Sequence, residues 1–212
     1  MKTKILLSVA IFFFTAIAAN AQITEGKCLL GGSFNYYNST GSNTNSINTN
    51  IQFGKVIKEN TVAGVIGSVA ASKNTFAGSR YSIYNYSAGV FYRKYKPLGK
   101  NFYFLQEADA VFQHSRGFGN YFDNVGQSLY ANSNGVMLSY IPGISYSATK
   151  SMQIELTMPN LVNVSFTNIK TVNNRLPQGV SPQKANTFYA NVNLNSNLLN
   201  NFGIGFKFLL GK

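Results

Sequence analysis

Few side chains in this sequence could do chemistry, and the densest set is ionic. Arg93, Glu107, Asp109, Glu155 and Lys207 fall on the polar face of segments that alternate apolar and polar residues. Charges gathered in a low-dielectric interior must pair, because each isolated one carries a desolvation cost of several kcal/mol. Three acids against two bases are nearly balanced, which predicts a structural ion-pair network filling a narrow lumen. A polar constriction gating a small pore is the functional alternative. His114-Ser115, with Glu107 upstream, invites a lipid-deacylase reading. Adjacent residues of a strand point to opposite faces, whereas a Ser–His pair needs both on one side within about 3 Å. Ser128 or Ser133 could approach only from a neighbouring strand, and nothing in the sequence brings them there. No enzyme is expected.

A second set is basic and lies between the alternating segments: Lys73, Arg80, Arg116, Lys170, Arg175 and Lys184, against the single Asp123. Read as an outer-loop rim, it suits anionic headgroups, with lipopolysaccharide phosphates as the sharper candidate. One His and one Cys, far apart, make no metal cluster. Gly117–Gly119 and Gly203–Gly205 are Gly-x-Gly pairs without the strand-to-helix setting of a nucleotide site. No cofactor is expected, and Cys28, alone, forms no internal disulfide.

What must position these groups is a set of strands. Ile47, Thr49, Ile51 and Phe53 alternate with Asn48, Asn50, Gln52 and Gly54. Tyr84 to Arg93, Val136 to Tyr146 and Phe202 to Leu210 repeat the period of two. One face is apolar and aromatic. The other carries Gly, Ser and Asn, which fit the crowded inside of a small barrel better than a solvent face. Short connections (Lys58 to Asn60, Lys96 to Asn101, Thr149 to Ser151) alternate with long ones (Ser39 to Ser46, Lys73 to Arg80, Gly117 to Ser128, Asn168 to Lys184). That asymmetry predicts a closed antiparallel up-and-down transmembrane β-barrel of about eight strands, both termini on the side of the short turns. Met152–Thr167 reads as one strand, and the last lies within Ala185–Leu210, where either Asn195 to Asn201 forms a bulge or kink or Thr187–Asn195 pairs as an extra piece.

Composition agrees. Only 11% of residues are charged, with 45% hydrophobic and 14% aromatic, where soluble domains carry about 25% charge. Lys2 and Lys4, the apolar run Ile5–Ala19 and Ala19-Asn20-Ala21 make a secretory leader over 1–21, with the barrel over 22–212. Past the leader no apolar run reaches the roughly 18 residues of a helical span. Without Lys2 and Lys4, 16 basic residues face 6 acidic ones, a net of +10. They are scattered singly, and export removes nucleic-acid partners. The expected partners are outer-membrane lipids, and the barrel is expected to be a monomer.

Three stretches carry a family resemblance: FGKVIKENTVAGVIGS (Phe53–Ser68), VFYRKYKPLGKNFYFLQEADAVF (Val90–Phe112) and LSYIPGISYSATKSMQIEL (Leu138–Leu156), with a closing FGIGFKF (Phe202–Phe208). In order, they resemble the strand–turn–strand units of the small outer-membrane β-barrel, porin-like proteins common in Bacteroidetes. The resemblance implies the fold and an outer-membrane location. It does not imply a task, since such barrels serve many. The chain departs from the pattern at Leu209-Leu210-Gly211-Lys212, which follows the last Phe where barrels often end on an aromatic.

Overall fold

The computed structural model describes residues 23–39, 43–76, 79–121, 127–158, 161–173, 183–192 and 203–211. The expected leader, 1–21, lies outside them. The strands are β1 (Cys28–Ser39), β2 (Thr44–Lys58), β3 (Thr61–Phe76), β4 (Ser79–Gly99), β5 (Phe102–Tyr121), β6 (Gln127–Ser147), β7 (Met152–Thr157), β8 (Val162–Asn173), β9 (Gln183–Val192) and β10 (Gly203–Leu210). Neighbours run antiparallel. The circuit β1-β2-β3-β4-β5-β6-β7-β10 returns to β1, so eight strands close a ring. The closed up-and-down barrel expected from the alternation is therefore what the chain forms.

The segment read as one strand over Met152–Thr167 is two. β7 pairs with β6 over Gly143–Ser147, and β8 pairs with the same strand over Leu129–Tyr140. The break between them contains Pro159, which has no N–H to give a ladder. The last segment divides in the same way. β9 continues along β8, while β10 runs between β7 and β1. Beyond Gly32, β1 pairs with β2 alone, and β9 pairs with β8 alone. Among the described residues, then, the ring is hydrogen-bonded throughout at the end of the short turns and carries a seam at the other.

The short turns follow from local chemistry. Glu59-Asn60 joins β2 to β3 with Asn60 at φ 58°, a left-handed conformation that Asn tolerates. Lys100-Asn101 joins β4 to β5, with Gly99 at φ 124° relieving the approach. The opposite connections are shorter than their composition suggests, since ladders run out to Phe76↔Ser79 and Tyr121↔Gln127. Polar residues there bond across the strands: Asn38 Nδ2 donates to Asn45 Oδ1 at 2.7 Å and Thr44 Oγ1 to Asn74 Oδ1 at 3.0 Å. Asn, Ser and Thr read as loop by type, but partners on both sides hold them in the sheet.

The interior is not uniformly small and polar as the alternation suggests. At the turn end an apolar floor closes the lumen, made of Leu29, Val56, Val62, Tyr95, Tyr103, Leu105 and Leu209, with Ile23 tucked against them. Tyr95 and Tyr103 meet edge to face, ring centroids 6.1 Å apart. Outside, the opposite parity is apolar and exposed: Phe34 on β1, Phe53 on β2, Val90 on β4, Phe112 on β5, Leu138 on β6 and Ile204 on β10.

Candidate functional site in the barrel lumen

Directly above the apolar floor lies the charge network. β4 carries Arg93 inward, between Phe91 and Tyr95 on the same face. The guanidinium carbon sits 5.5 Å from the Phe91 ring centroid and 5.9 Å from that of Tyr95, within cation–π range. Gly54 and Gly64, on the two strands beyond β4, leave room for the Phe91 ring; a Cβ at Gly54 would stand 2.8 Å from it.

Every nitrogen of the guanidinium is used. Nε donates to Glu107 Oε2, and Nη2 pairs with the same carboxylate. Nη1 reaches Glu155 Oε1 at 3.0 Å and the Tyr95 hydroxyl at 3.0 Å, and Nη2 donates to Gln52 Oε1 at 2.9 Å. Tyr95 passes its own proton on, donating to Glu155 Oε1 at 2.9 Å. Gln52 closes the circuit: its Nε2 donates to Glu107 Oε1 at 2.9 Å, while its Oε1 also accepts from Lys207 Nζ. Arg93 is 2% exposed, Glu107 3% and Glu155 1%, so this is a desolvated cluster in which each charge is held by an opposite charge or a hydrogen bond.

Lys207 reaches Gln52 across β1 only because position 31 has no side chain. A Cβ at Gly31 would overlap Lys207 Cδ. Gly31 pairs with Gln52 on one side and Lys207 on the other, so a glycine between them opens the path.

Of the five residues expected to meet in the lumen, Arg93, Glu107 and Glu155 form ion pairs, and Lys207 joins through Gln52. Asp109 does not join by an ion pair. It is buried two residues beyond Glu107 on the same face, and its Oδ1 has no hydrogen-bond partner. In register with it, Ser139 Oγ on β6 and Asn163 Oδ1 on β8 are also unpartnered. The alternation did place Gln52 on the polar face, but its type gave no sign of a bridging role. Tyr95 runs against the general preference of aromatics for the outer wall, and its shared parity with Arg93 is the signal in the sequence that places it inward.

The basic set sits on strands, where the sequence suggested loops. Lys73 is on β3, Arg116 on β5, Lys170 on β8 and Lys184 on β9, all with outward parity and exposed. The side chain of Arg80 and the whole of Arg175 lie outside the described residues. His114 also faces out. Its Nδ1 bonds Asn134 Oδ1 at 2.7 Å and its Nε2 accepts from Arg116 Nε at 3.0 Å. Ser115 and Ser133 are paired on the opposite face, so neither hydroxyl can serve this histidine. Among the described residues no group of three His, Cys, Asp or Glu could hold a metal ion, and Cys28 is a free, half-buried thiol.

No family model matches the chain, and no curated protein matches it in sequence. A solved structure of similar shape is that of a major outer membrane protein from Thermus thermophilus. It is 9% identical, with a TM-score of 0.46, over 87% of this chain and 99% of that one.

Proposed function

We propose that this chain is an integral outer-membrane barrel, exported by residues 1–21, of the small porin-like type that the sequence resembles in Bacteroidetes. In this reading the short turns face the periplasm, and the barrel is sealed there. Its task is structural or lies in surface interaction, without catalysis. The membrane setting is supported by β6, whose outward residues from Tyr146 to Val136 (with Ile144, Pro142, Tyr140 and Leu138 between) include no ionisable group but two tyrosine hydroxyls. Ten steps of about 3.4 Å each, tilted by 35–45°, span about 25 Å, the height of a barrel's apolar band.

The observation that carries the sealed reading is the Arg93 cluster. Lumen-facing residues of β2, β4, β5, β7 and β10 converge on one buried set, standing on the apolar floor. An eight-stranded interior is about filled by side chains, and here they are bonded to one another. Purified protein in planar bilayers is expected to give no stable single-channel steps. Reproducible steps would remove the sealed barrel in favour of a narrow channel.

One feature favours a second reading, transport of small or apolar solutes through the wall. The seam between β9 and the outer half of β1 lacks a ladder among the described residues, which offers a sideways exit from a lumen blocked below. Uptake of a labelled apolar solute into proteoliposomes, above that of protein-free vesicles, is the result this reading requires.

A further inference from the structure

The outward wall of β5, β6, β8 and β9 is layered. Register places Phe112, Val136, Phe166 and Phe188 in one row, then His114, Asn134, Asn168 and Asn186, then Arg116, Asn132, Lys170 and Lys184. An apolar row is followed by an amide row and then a basic row, each two residues further toward the loop end. Two residues advance about 7 Å along a strand and about 5 Å along the membrane normal once tilted. The basic row therefore stands about 10 Å above the Phe112–Phe188 row, and Phe118 and Tyr130 lie in register two residues further out, an aromatic level that marks the lipid interface.

The basic row is costly as it stands. Lys170 and Lys184 are direct cross-strand partners, and like charges in that position repel. No acidic side chain lies on the row among the described residues, and neither lysine has an ion-pair partner there. Arg116 is held by His114 through Nε alone, and His114 is itself fixed by Asn134, which leaves both Nη groups for an anion. Asn168 Nδ2 bonds Asn186 Oδ1 at 2.7 Å directly beneath the lysine pair, tying β8 to β9 where repulsion would part them.

Below these rows, on the same outer face, lies an apolar groove of about 650 Å³. Ala108 and Ala110 of β5 make its floor, and Tyr92 stands on one side with Leu138, Tyr140 and Val164 on the other. Its volume is within the range of small-molecule sites.

We infer that this face is a binding site for a phosphate-bearing lipid of the outer leaflet, a lipid A-type amphiphile. Its phosphate lies on Arg116, Lys170 and Lys184, and one acyl chain lies over Phe112 and Phe166 into the Ala108–Ala110 groove. The inference rests on the membrane reading above, and adds to it a specific occupant on one side of the barrel.

The test is native mass spectrometry of the full-length folded protein in non-ionic detergent. The probes are lipid A, the same lipid with its phosphates removed, and inorganic phosphate as competitor. Wild type is expected to retain one lipid A, at least tenfold above the dephosphorylated form, with no displacement by millimolar phosphate. K170Q/K184Q should lower retention at least tenfold while unfolding no earlier than wild type, because it removes the like-charge pair. A110F, with the basic row intact, should also lose retention by filling the groove. Equal retention of both lipids would leave only annular contact and overturn the site, as would unchanged retention in K170Q/K184Q. Displacement by inorganic phosphate would make it a free-anion site and equally overturn the proposal. Failure of the membrane reading shows separately: the unboiled protein would then migrate on SDS gels as the boiled one does.

Discussion

Arg93 is the residue on which the lumen depends. Among the described residues it is the one cation that ion-pairs with both buried glutamates, and a buried charge left without its partner costs about 3–5 kcal/mol. Arg93→Met keeps the volume and removes the charge, so it strands Glu107 and Glu155 together. Urea unfolding in detergent is expected to show a loss of about 3–5 kcal/mol for this variant; a change below 1 kcal/mol would mean that water already reaches the cluster. Gly31 matters for a different reason, since its missing side chain is the space that Lys207 crosses. Gly31→Ala should cost about 1–3 kcal/mol through overpacking. Adding Lys207→Ala should return part of that loss, and additive effects in the double mutant would show that the two positions do not touch.

At the scale of the strand, alternation decides what each position tolerates. On β6, Leu138 and Asn134 are both outward-facing, but they stand on opposite sides of the boundary between the apolar and amide rows. An arginine near the middle of the apolar band costs about 2–4 kcal/mol, and one near the interface about 0–1 kcal/mol. Leu138→Arg and Asn134→Arg should therefore differ by at least about 2 kcal/mol when unfolded from lipid vesicles; equal costs would move the boundary or deny it. The strands reach further than their apolar runs because the sheet supplies cross-strand partners to Asn, Ser and Thr beyond the last apolar pair, as Asn38 and Asn45 illustrate at 2.7 Å beyond Tyr36 and Ile47. Such partners are invisible to a reading of one segment at a time.

For the whole molecule, closure joins the strands into one continuous ladder. Six of the eight neighbour contacts in the ring join consecutive strands, and the two that join β1 to β10 and β7 to β10 make it continuous. Once closed, no strand at the turn end keeps an unpaired edge among the described residues, so opening at any point breaks a cooperative ring. The protein is accordingly expected to resist SDS at room temperature and to migrate differently on gels before and after boiling. Among the described residues the ladder is interrupted between β9 and β1, and there such a ring is weakest.

Period-two alternation and the spacing of turns were enough to determine that the chain is all-β, closed and about eight-stranded, because each residue's face follows from its parity alone. The same parity put Arg93, Glu107, Asp109, Glu155 and Lys207 on one inner surface. Which of them meet was decided only by tertiary structure. Arg93 and Glu155 are 62 residues apart and Gln52 and Lys207 155, and side chains meet across a lumen according to strand register and the gap at Gly31. Tyr95 faces inward because its neighbour Arg93 does, against the general preference of aromatics for the outer wall. The layering of the basic row depends likewise on register across four strands, since Arg116, Lys170 and Lys184 read singly are scattered cations, and only pairing β5, β6, β8 and β9 side by side brings them to one level.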